Sequence, residues 1–441
     1  MEKQKEKNMA NYFGTDGIRG EYGKNLTAKI AFSVGNALTQ IKTNPKIIIG
    51  HDTRTSADVL TLSLASGVLQ GGGNVVDMGV IPTAGISFLT ENEGFDYGVM
   101  ITASHNPPAY NGIKVFDSSG RKLLDSEEEF LENFFSNNFI SEKSGKFENG
   151  KVFQKKYIEH LIGSTDIDLK GFSVCLDASN GASFAIGPRI FETLGAKVNK
   201  ISCKNDGENI NINCGSLHIE NLVKKVLETK SKVGFAFDGD ADRVIAVGES
   251  GEVFDGDKLL YILANFMKQN GLLYANSVVG TSHTNSGLMV GLNRNKINLI
   301  RTDIGDKYVI EAMDKMNLCL GGEQSGHIII KNYAQTGDGI LTAIKICEIM
   351  KKTGKSLEEL FDAKLIPQTN INISVKDKIK VLNNEELKIL TNKIANEIAP
   401  AGRILVRASG TEEKIRIMIE HPNKEETQKY ADQIKTLIEK I

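Results

Sequence analysis

Over most of the 441-residue chain, short apolar runs alternate with stretches in which apolar residues recur every three to four positions. The runs predict strands and the recurrences predict amphipathic helices, so their alternation predicts α/β layers with largely parallel strands. Lys46-Ile47-Ile48-Ile49-Gly50 reads as a buried strand. Before it, Leu26, Ile30, Val34, Leu38 and Ile41 mark a helix; after it, Asp58 to Leu69 marks another that ends at Gly71-Gly72-Gly73. A second cycle opens at Phe172-Ser173-Val174-Cys175-Leu176-Asp177 and closes at Val233-Gly234-Phe235-Ala236-Phe237. A third runs from about Gly251 to Ala363, with Ser277-Val278-Val279-Gly280 and Leu318-Cys319-Leu320-Gly321 as strands.

The pattern changes near the end. Strict alternation in Lys414-Ile415-Arg416-Ile417-Met418-Ile419-Glu420 predicts a half-exposed strand antiparallel to Arg403-Ile404-Leu405-Val406-Arg407. Helices on Leu387, Leu390, Ile394 and Ile398 and on Tyr430, Ile434, Leu437, Ile438 and Ile441 flank it. Periodicity fades at Ser141-Glu142-Lys143-Ser144-Gly145-Lys146, as at a domain boundary. The expected organisation is a mobile tail over 1–10, α/β domains over 11–150, 151–250 and 251–365, and a smaller α+β domain over 366–441 that acts as a lid.

Composition narrows the function. With 53 basic and 55 acidic residues the formal charge is −2, which argues against a general binder of nucleic acid or anionic membrane. No apolar run reaches membrane-spanning length, and the opening residues lack the apolar core of a leader. Cys175, Cys203, Cys214, Cys319 and Cys347 form no C-x-x-C pair, which points to reduced thiols in the cytoplasm and away from zinc or disulfides.

The candidate chemistry sits just after strands, where open α/β sheets place their ligands. Thr102-Ala103-Ser104-His105-Asn106-Pro107-Pro108 puts a hydroxyl nucleophile in a polar turn after Tyr97-Gly98-Val99-Met100-Ile101. Asp238-Gly239-Asp240-Ala241-Asp242-Arg243 offers three carboxylates suited to a hard divalent cation, with Mg²⁺ preferred. An EF-hand reading fails because the turn position is Arg243 rather than Gly and the preceding segment is strand-like. A cation beside a serine suggests phosphoryl transfer. Glu323-Gln324-Ser325-Gly326-His327 suits sugar hydroxyls, and Arg407-Ala408-Ser409-Gly410-Thr411-Glu412, with Arg416 on the next strand, suits a phosphate. Arg19 lies among glycines in Gly14-Thr15-Asp16-Gly17-Ile18-Arg19-Gly20. Lys114, beside a metal and other cations, is expected to have a depressed pKa and to serve as a proton acceptor.

Taken in order, G-T-D-G-I-R-G, T-A-S-H-N-P, D-G-D-A-D-R, G-G-E-Q-S-G-H and R-A-S-G-T-E closely resemble the loops of the α-D-phosphohexomutases, over nearly the whole chain. The resemblance implies three similar α/β domains with mixed sheets plus a smaller C-terminal α+β domain around a central cleft. It implies a phosphoserine at Ser104, which joins Asp238, Asp240 and Asp242 around one Mg²⁺ per active site. Lys114 is implied as the leading base, Arg19, Arg243 and His327 as further catalytic residues, and His105 as a loop-positioning residue. Glu323, Gln324 and Ser325 would read the sugar, and Arg407, Ser409, Gly410, Thr411 and Arg416 would hold the remote phosphate. Gln324, with Gly207-Glu208-Asn209-Ile210-Asn211 and Cys214-Gly215-Ser216-Leu217-His218, is similar to the branch that interconverts glucosamine 6-phosphate and glucosamine 1-phosphate. That branch feeds amino-sugar nucleotide and cell-wall precursor synthesis. Glucosamine 1,6-bisphosphate or glucose 1,6-bisphosphate would be the activating intermediate. The partners implied are a phosphosugar substrate and, in a homodimer, a second copy of the chain. Mannose or glucose phosphate as the substrate, and a non-catalytic phosphosugar binder, stand as alternatives. Ala408 and Glu413 depart from the family, which generally has Pro at both positions.

Overall fold

The computed structural model describes residues 12–14, 16–409 and 413–441. The tail expected over 1–10 therefore lies outside the described residues, as do Thr15, Gly410 and Thr411. The chain divides into two compact units, one of residues up to Thr281 with Ile300–Phe361, the other of Ser282–Leu299 with Asp362–Ile441.

Three of the four sheets belong to α/β layers. The first has seven strands, with Lys46–His51 parallel to Asn74–Val80 and Tyr97–Ile101, and with Tyr97–Ile101 antiparallel to Tyr110–Phe116. Ile47, Ile48 and Ile49 are all buried because helices cover both faces of this sheet, which is why the strand reads as a continuous apolar run. Each such side chain contributes roughly 1.5–3 kcal/mol by leaving water. The helix Ala28–Ile41 is capped by Thr27, whose hydroxyl accepts from the Ile30 N–H; Leu26 lies just before it. The following helix is Ala57–Gln70.

In the second sheet, of five strands, Ser173–Asp177 runs parallel to Val233–Phe237, which turns back antiparallel into Val244–Gly248. The third has four strands, among them Ser277–Thr281 parallel to Leu320–Gly322. That second strand is shorter and later than the expected Leu318–Gly321, because the chain has first to leave the helix Asp306–Lys315 through Asn317, whose φ is +51°.

The fourth sheet has three antiparallel strands, Gln368–Ser374, Lys414–Glu420 and Arg403–Ala408, with Lys414–Glu420 in the centre. The alternation of Lys414–Glu420 follows from cover on one face: Ile415, Ile417 and Ile419 enter the helix-covered core, while the intervening Lys414 and Arg416 stay partly exposed. Gln368–Ser374 was not anticipated: Gln368, Thr369, Asn370 and Asn372 dilute its apolar signal. Helices Glu385–Ile398 and Lys424–Ile438 cover this sheet through Leu387, Ile394, Ile398, Ile434 and Ile438. Ile441 packs against the same core from beyond the helix end.

Candidate active site

The Ser104 turn is held from beneath by one side chain. Arg54 is buried and spends all five N–H donors on fixed partners: Nη1 on the carbonyls of Pro107 (2.5 Å) and Tyr110 (2.8 Å), Nη2 on those of Ser104 (3.0 Å) and Asn106 (2.8 Å), and Nε on Asp52 (2.9 Å). Asp52 in turn accepts from the Thr102 hydroxyl at 2.6 Å. Asn211 adds Nδ2 contacts to the Ser104 and Asn106 carbonyls at 2.8 and 3.0 Å. Ser104 itself takes φ +52°, a left-handed conformation uncommon for a residue with a side chain. So held, its hydroxyl donates to Asp238 Oδ2 at 2.6 Å and lies 3.2 Å from His105 Nδ1.

Asp238, Asp240 and Asp242 are buried, with ligand atoms all within 4.8 Å of one another, and they form the one such acidic cluster among the described residues. Ala241, at φ +57°, makes the turn that brings alternate carboxylates together. Gly239 is required by space: a Cβ there would lie 2.5 Å from the Ser104 carbonyl oxygen, so the two loops meet backbone to backbone. Burial, reinforced by Asp242 and Asp240, pushes Asp238 well above the usual carboxylate range. Asp240 Oδ1 and Asp242 Oδ1 are buried and have no hydrogen-bond partner among the described residues. Unpartnered carboxylate oxygens and crowded negative charge are what a hard divalent cation relieves, so this donor set fits a metal site.

Lys114 corrects the expectation placed on it. Its Nζ lies 2.8 Å from Asp240 Oδ2, 2.9 Å from Asp242 Oδ2 and 3.6 Å from Asp16 Oδ2. Burial works against the ammonium, but Asp16, Asp240 and Asp242 outweigh it and hold the pKa well above its usual value. The lysine rests as a cation, not as a depressed-pKa base, because its neighbours are mainly carboxylates. Arg19, beside Asp16, is the exception.

Arg243 Nη1 is 3.0 Å from His105 Nδ1, and its charge, with burial, drives the His105 pKa down to about 2. His105 is therefore neutral. The Asp238–Arg243 loop also meets the Glu323–His327 loop directly: Arg243 and His327 form an antiparallel bridge, and the Val244 N–H donates to the Gly326 carbonyl at 3.1 Å. His327 is buried, with Nε2 accepting from the Gly337 N–H at 3.0 Å and Nδ1 3.7 Å from Asp242 Oδ1. Burial opposes its charged form, yet Asp242 carries its pKa up. Glu323 accepts from the Gly305 N–H at 3.1 Å, and burial raises its pKa. Ser325 is exposed at the tip of this loop.

The second unit carries a cationic patch of its own. Arg407 and Arg416 stand directly opposite one another across the antiparallel pair. Ser409 is buried, its N–H donating to the Lys414 carbonyl at 2.8 Å and its hydroxyl without a partner among the described residues. Arg403 anchors the Ser282 and Thr284 carbonyls at 2.5 and 2.6 Å, and between those residues lies His283. Burial and then Arg407, Arg403 and Arg416 lower the His283 pKa to about 4. Gly410 and Thr411 lie outside the described residues.

Asp16, Asp52, Arg54, Lys122, Asn211, His283 and Asp306 were not singled out from sequence. Asp16 and Asn211 stood in quoted segments without a role of their own; for Asp52, Arg54, Lys122, His283 and Asp306, a lone polar residue carries no signal until the fold supplies its partners.

Residues 10–140, 155–251 and 255–366 match domains I, II and III of the family described as phosphoglucomutase/phosphomannomutase, alpha/beta/alpha, and residues 371–437 match its C-terminal domain. The chain belongs to this family, the α-D-phosphohexomutases. It is 42% identical over 446 residues to the phosphoglucosamine mutase of Clostridium kluyveri, covering 98% of this chain and 99% of that one. The phosphoglucomutase/phosphomannomutase family protein of Burkholderia thailandensis shares its fold, with a TM-score of 0.83 at 24% identity over 97% of this chain and 98% of that one. So does N-acetylphosphoglucosamine mutase of Aspergillus fumigatus, solved with GlcNAc-6P and magnesium, at a TM-score of 0.70 and 16% identity, covering 96% and 95%. Among the described residues, no helix is long and apolar enough to cross a membrane.

Proposed function

We propose that this chain is a phosphoglucosamine mutase that interconverts glucosamine 6-phosphate and glucosamine 1-phosphate through a phosphorylated Ser104. The observation that carries the reading is the Ser104 hydroxyl seated 2.6 Å from Asp238 within three buried carboxylates. Among the described residues no Ser-His-Asp relay serves this serine: the ring beside it, His105, faces the Arg243 guanidinium, whose charge makes it too weak a base to take the serine proton. A serine that carries a phosphoryl group from cycle to cycle needs no such relay. The sugar assignment rests on Glu323 and Gln324 and on the activity named for relatives such as that of C. kluyveri.

In this reading phosphoserine 104 donates its phosphoryl group to the free hydroxyl of the hexose phosphate: the serine O–P bond breaks as the sugar O–P bond forms, and the hydroxyl proton ends on the serine oxygen, giving a 1,6-bisphosphate. The bisphosphate turns around and returns its other phosphoryl group to Ser104. Mg²⁺ would be held by Asp238, Asp240, Asp242 and the Ser104 phosphoryl, where it would offset charge on the transferring group. Lys114 pins Asp240 and Asp242 and adds positive charge, and Arg243 fixes His105. Arg19 contributes a further cation, with its guanidinium paired to Asp16. Arg407, Ser409, Gly410, Thr411 and Arg416 would grip the remote phosphate in both orientations. Glu323 would pair with the ammonium at carbon 2, and Gln324 and Ser325 would contact neighbouring hydroxyls.

The deciding experiment compares turnover of glucosamine, glucose and mannose phosphates by purified protein with Mg²⁺ and a catalytic hexose 1,6-bisphosphate. Preference for glucosamine phosphate supports the reading. Preference for mannose phosphate overturns the sugar assignment, and absence of all three activities overturns the mutase.

A further inference from the structure

Opposite charges join the segment Arg121–Asp125 to the helix Asp306–Lys315. Arg121 Nη1 lies 2.5 Å from Asp314 Oδ2, and Lys307 Nζ lies 2.6 and 2.8 Å from the two oxygens of Asp125. Between them the Lys122 ammonium pairs with Asp306 and also with Asp16. The outer pairs are open to water, with side-chain exposures of 38% at Arg121 and 62% at Asp125, and pairs of that kind contribute little. Lys122 and Asp306 are enclosed, at 17% and 13%. Removing one partner there leaves the other desolvated and uncompensated.

What lies behind Asp306 gives the pair its meaning. Asp306 Oδ2 is 3.6 Å from His327 Nε2, and the preceding Gly305 donates its N–H to Glu323 Oε1 at 3.1 Å. Two consecutive residues thus back both chemically active side chains of the sugar loop, while Asp16 leads from Lys122 to Lys114 and the metal cluster. Without Lys122, Asp16 and Asp306 would face each other as two carboxylates with no shared cation.

We propose that Lys122 and Asp306 are a positioning pair that sets the sugar loop, through His327 and Glu323, at its working distance from Ser104. The proposal rests on the mutase reading. A bisphosphate that must be accepted in two orientations supplies no fixed registry of its own, so the protein has to supply it.

The test measures kcat and KM for glucosamine 6-phosphate and glucose 6-phosphate in the full chain, with Mg²⁺ and hexose bisphosphate. It covers wild type, Lys122→Met, Lys122→Arg, Asp306→Asn and the Met/Asn double variant, with the phosphate adduct on Ser104 followed by intact mass. Expected for Lys122→Met is a fall in kcat of roughly tenfold to a hundredfold with KM changed by no more than about threefold. The adduct should stay at the wild-type level, the preference for the amino sugar should narrow, and Lys122→Arg should recover most of the loss. The double variant should be no worse than the poorer single variant. Wild-type kcat and preference in Lys122→Met, or a double variant whose loss is the product of the singles, would overturn the pair. If Lys122→Met does not fold, Asp306→Asn and Lys122→Arg decide by the same comparison. A wild-type enzyme acting only on another hexose phosphate overturns the sugar assignment, and the pair is then judged by the same kcat ratios on that substrate.

Discussion

Ser104 Oγ donates to Asp238 Oδ2 at 2.6 Å, joining residues 134 positions apart. Ser104→Ala removes the only hydroxyl in that contact. Mutase turnover should fall by roughly a thousandfold or more, with the phosphate adduct lost from the intact mass and the circular dichroism unchanged. Near-normal turnover would sink the phosphoserine.

Asp240 accepts from the Thr83 hydroxyl at 2.6 Å and from Lys114 at 2.8 Å, and its other oxygen has no hydrogen-bond partner among the described residues. Asp240→Asn keeps an acceptor for Thr83 but removes one unit of negative charge. Mg²⁺ affinity, measured by titration calorimetry, should weaken by about tenfold or more, and activity should fall with it. Unchanged affinity would place the metal elsewhere.

Arg54→Lys tests the support of the nucleophile turn. An ammonium can serve at most three of the five partners, so at least two buried acceptors lose their donor, at a cost of about 2–4 kcal/mol. The urea midpoint should drop and kcat should fall even where the variant is folded. A wild-type midpoint would show that water replaces the lost donors.

For Glu323→Gln, a neutral amide replaces the proposed partner of the substrate ammonium. The kcat/KM ratio of glucosamine to glucose phosphate should shrink by roughly tenfold, chiefly through the amino sugar. Equal loss on both substrates would give Glu323 a role independent of the amine.

Glu128, in the helix Asp125–Glu132, has its pKa raised to about 8 by burial and by Asp125. The native state then holds a proton that the unfolded chain has released, so this residue makes stability decline as pH rises from the usual glutamate range to about 8. Glu128→Gln should remove that decline, leaving the variant more stable than wild type at pH ~9 and little changed at pH ~5 by urea unfolding. A wild-type pH profile in the variant would contradict it.

The layered fold and the principal loops were legible because each is a local signal. Ile47-Ile48-Ile49 announces a covered parallel strand, and Asp238, Asp240 and Asp242 announce a cation within five residues. Gln368–Ser374 was not legible, since its pairing with Lys414–Glu420, not its own composition, makes it a strand. The ionisation of Lys114 was misread for a related reason. Its charge state depends on Asp16, Asp240 and Asp242, and no spacing rule reveals that all three point at one ammonium. Lys122 and Asp306, 184 positions apart, carry no pairwise signal in a single chain.

Arg54 makes the Ser104 turn non-portable. The segment from Thr102 to Pro108 looks like a self-contained cassette, yet four inward-facing carbonyls around it are addressed by a guanidinium 50 residues upstream of Ser104. Grafted into another α/β scaffold, the seven residues would bring the hydroxyl without the conformation that aims it. The smallest transferable unit is the turn together with Asp52, Arg54 and the two strand ends that present them.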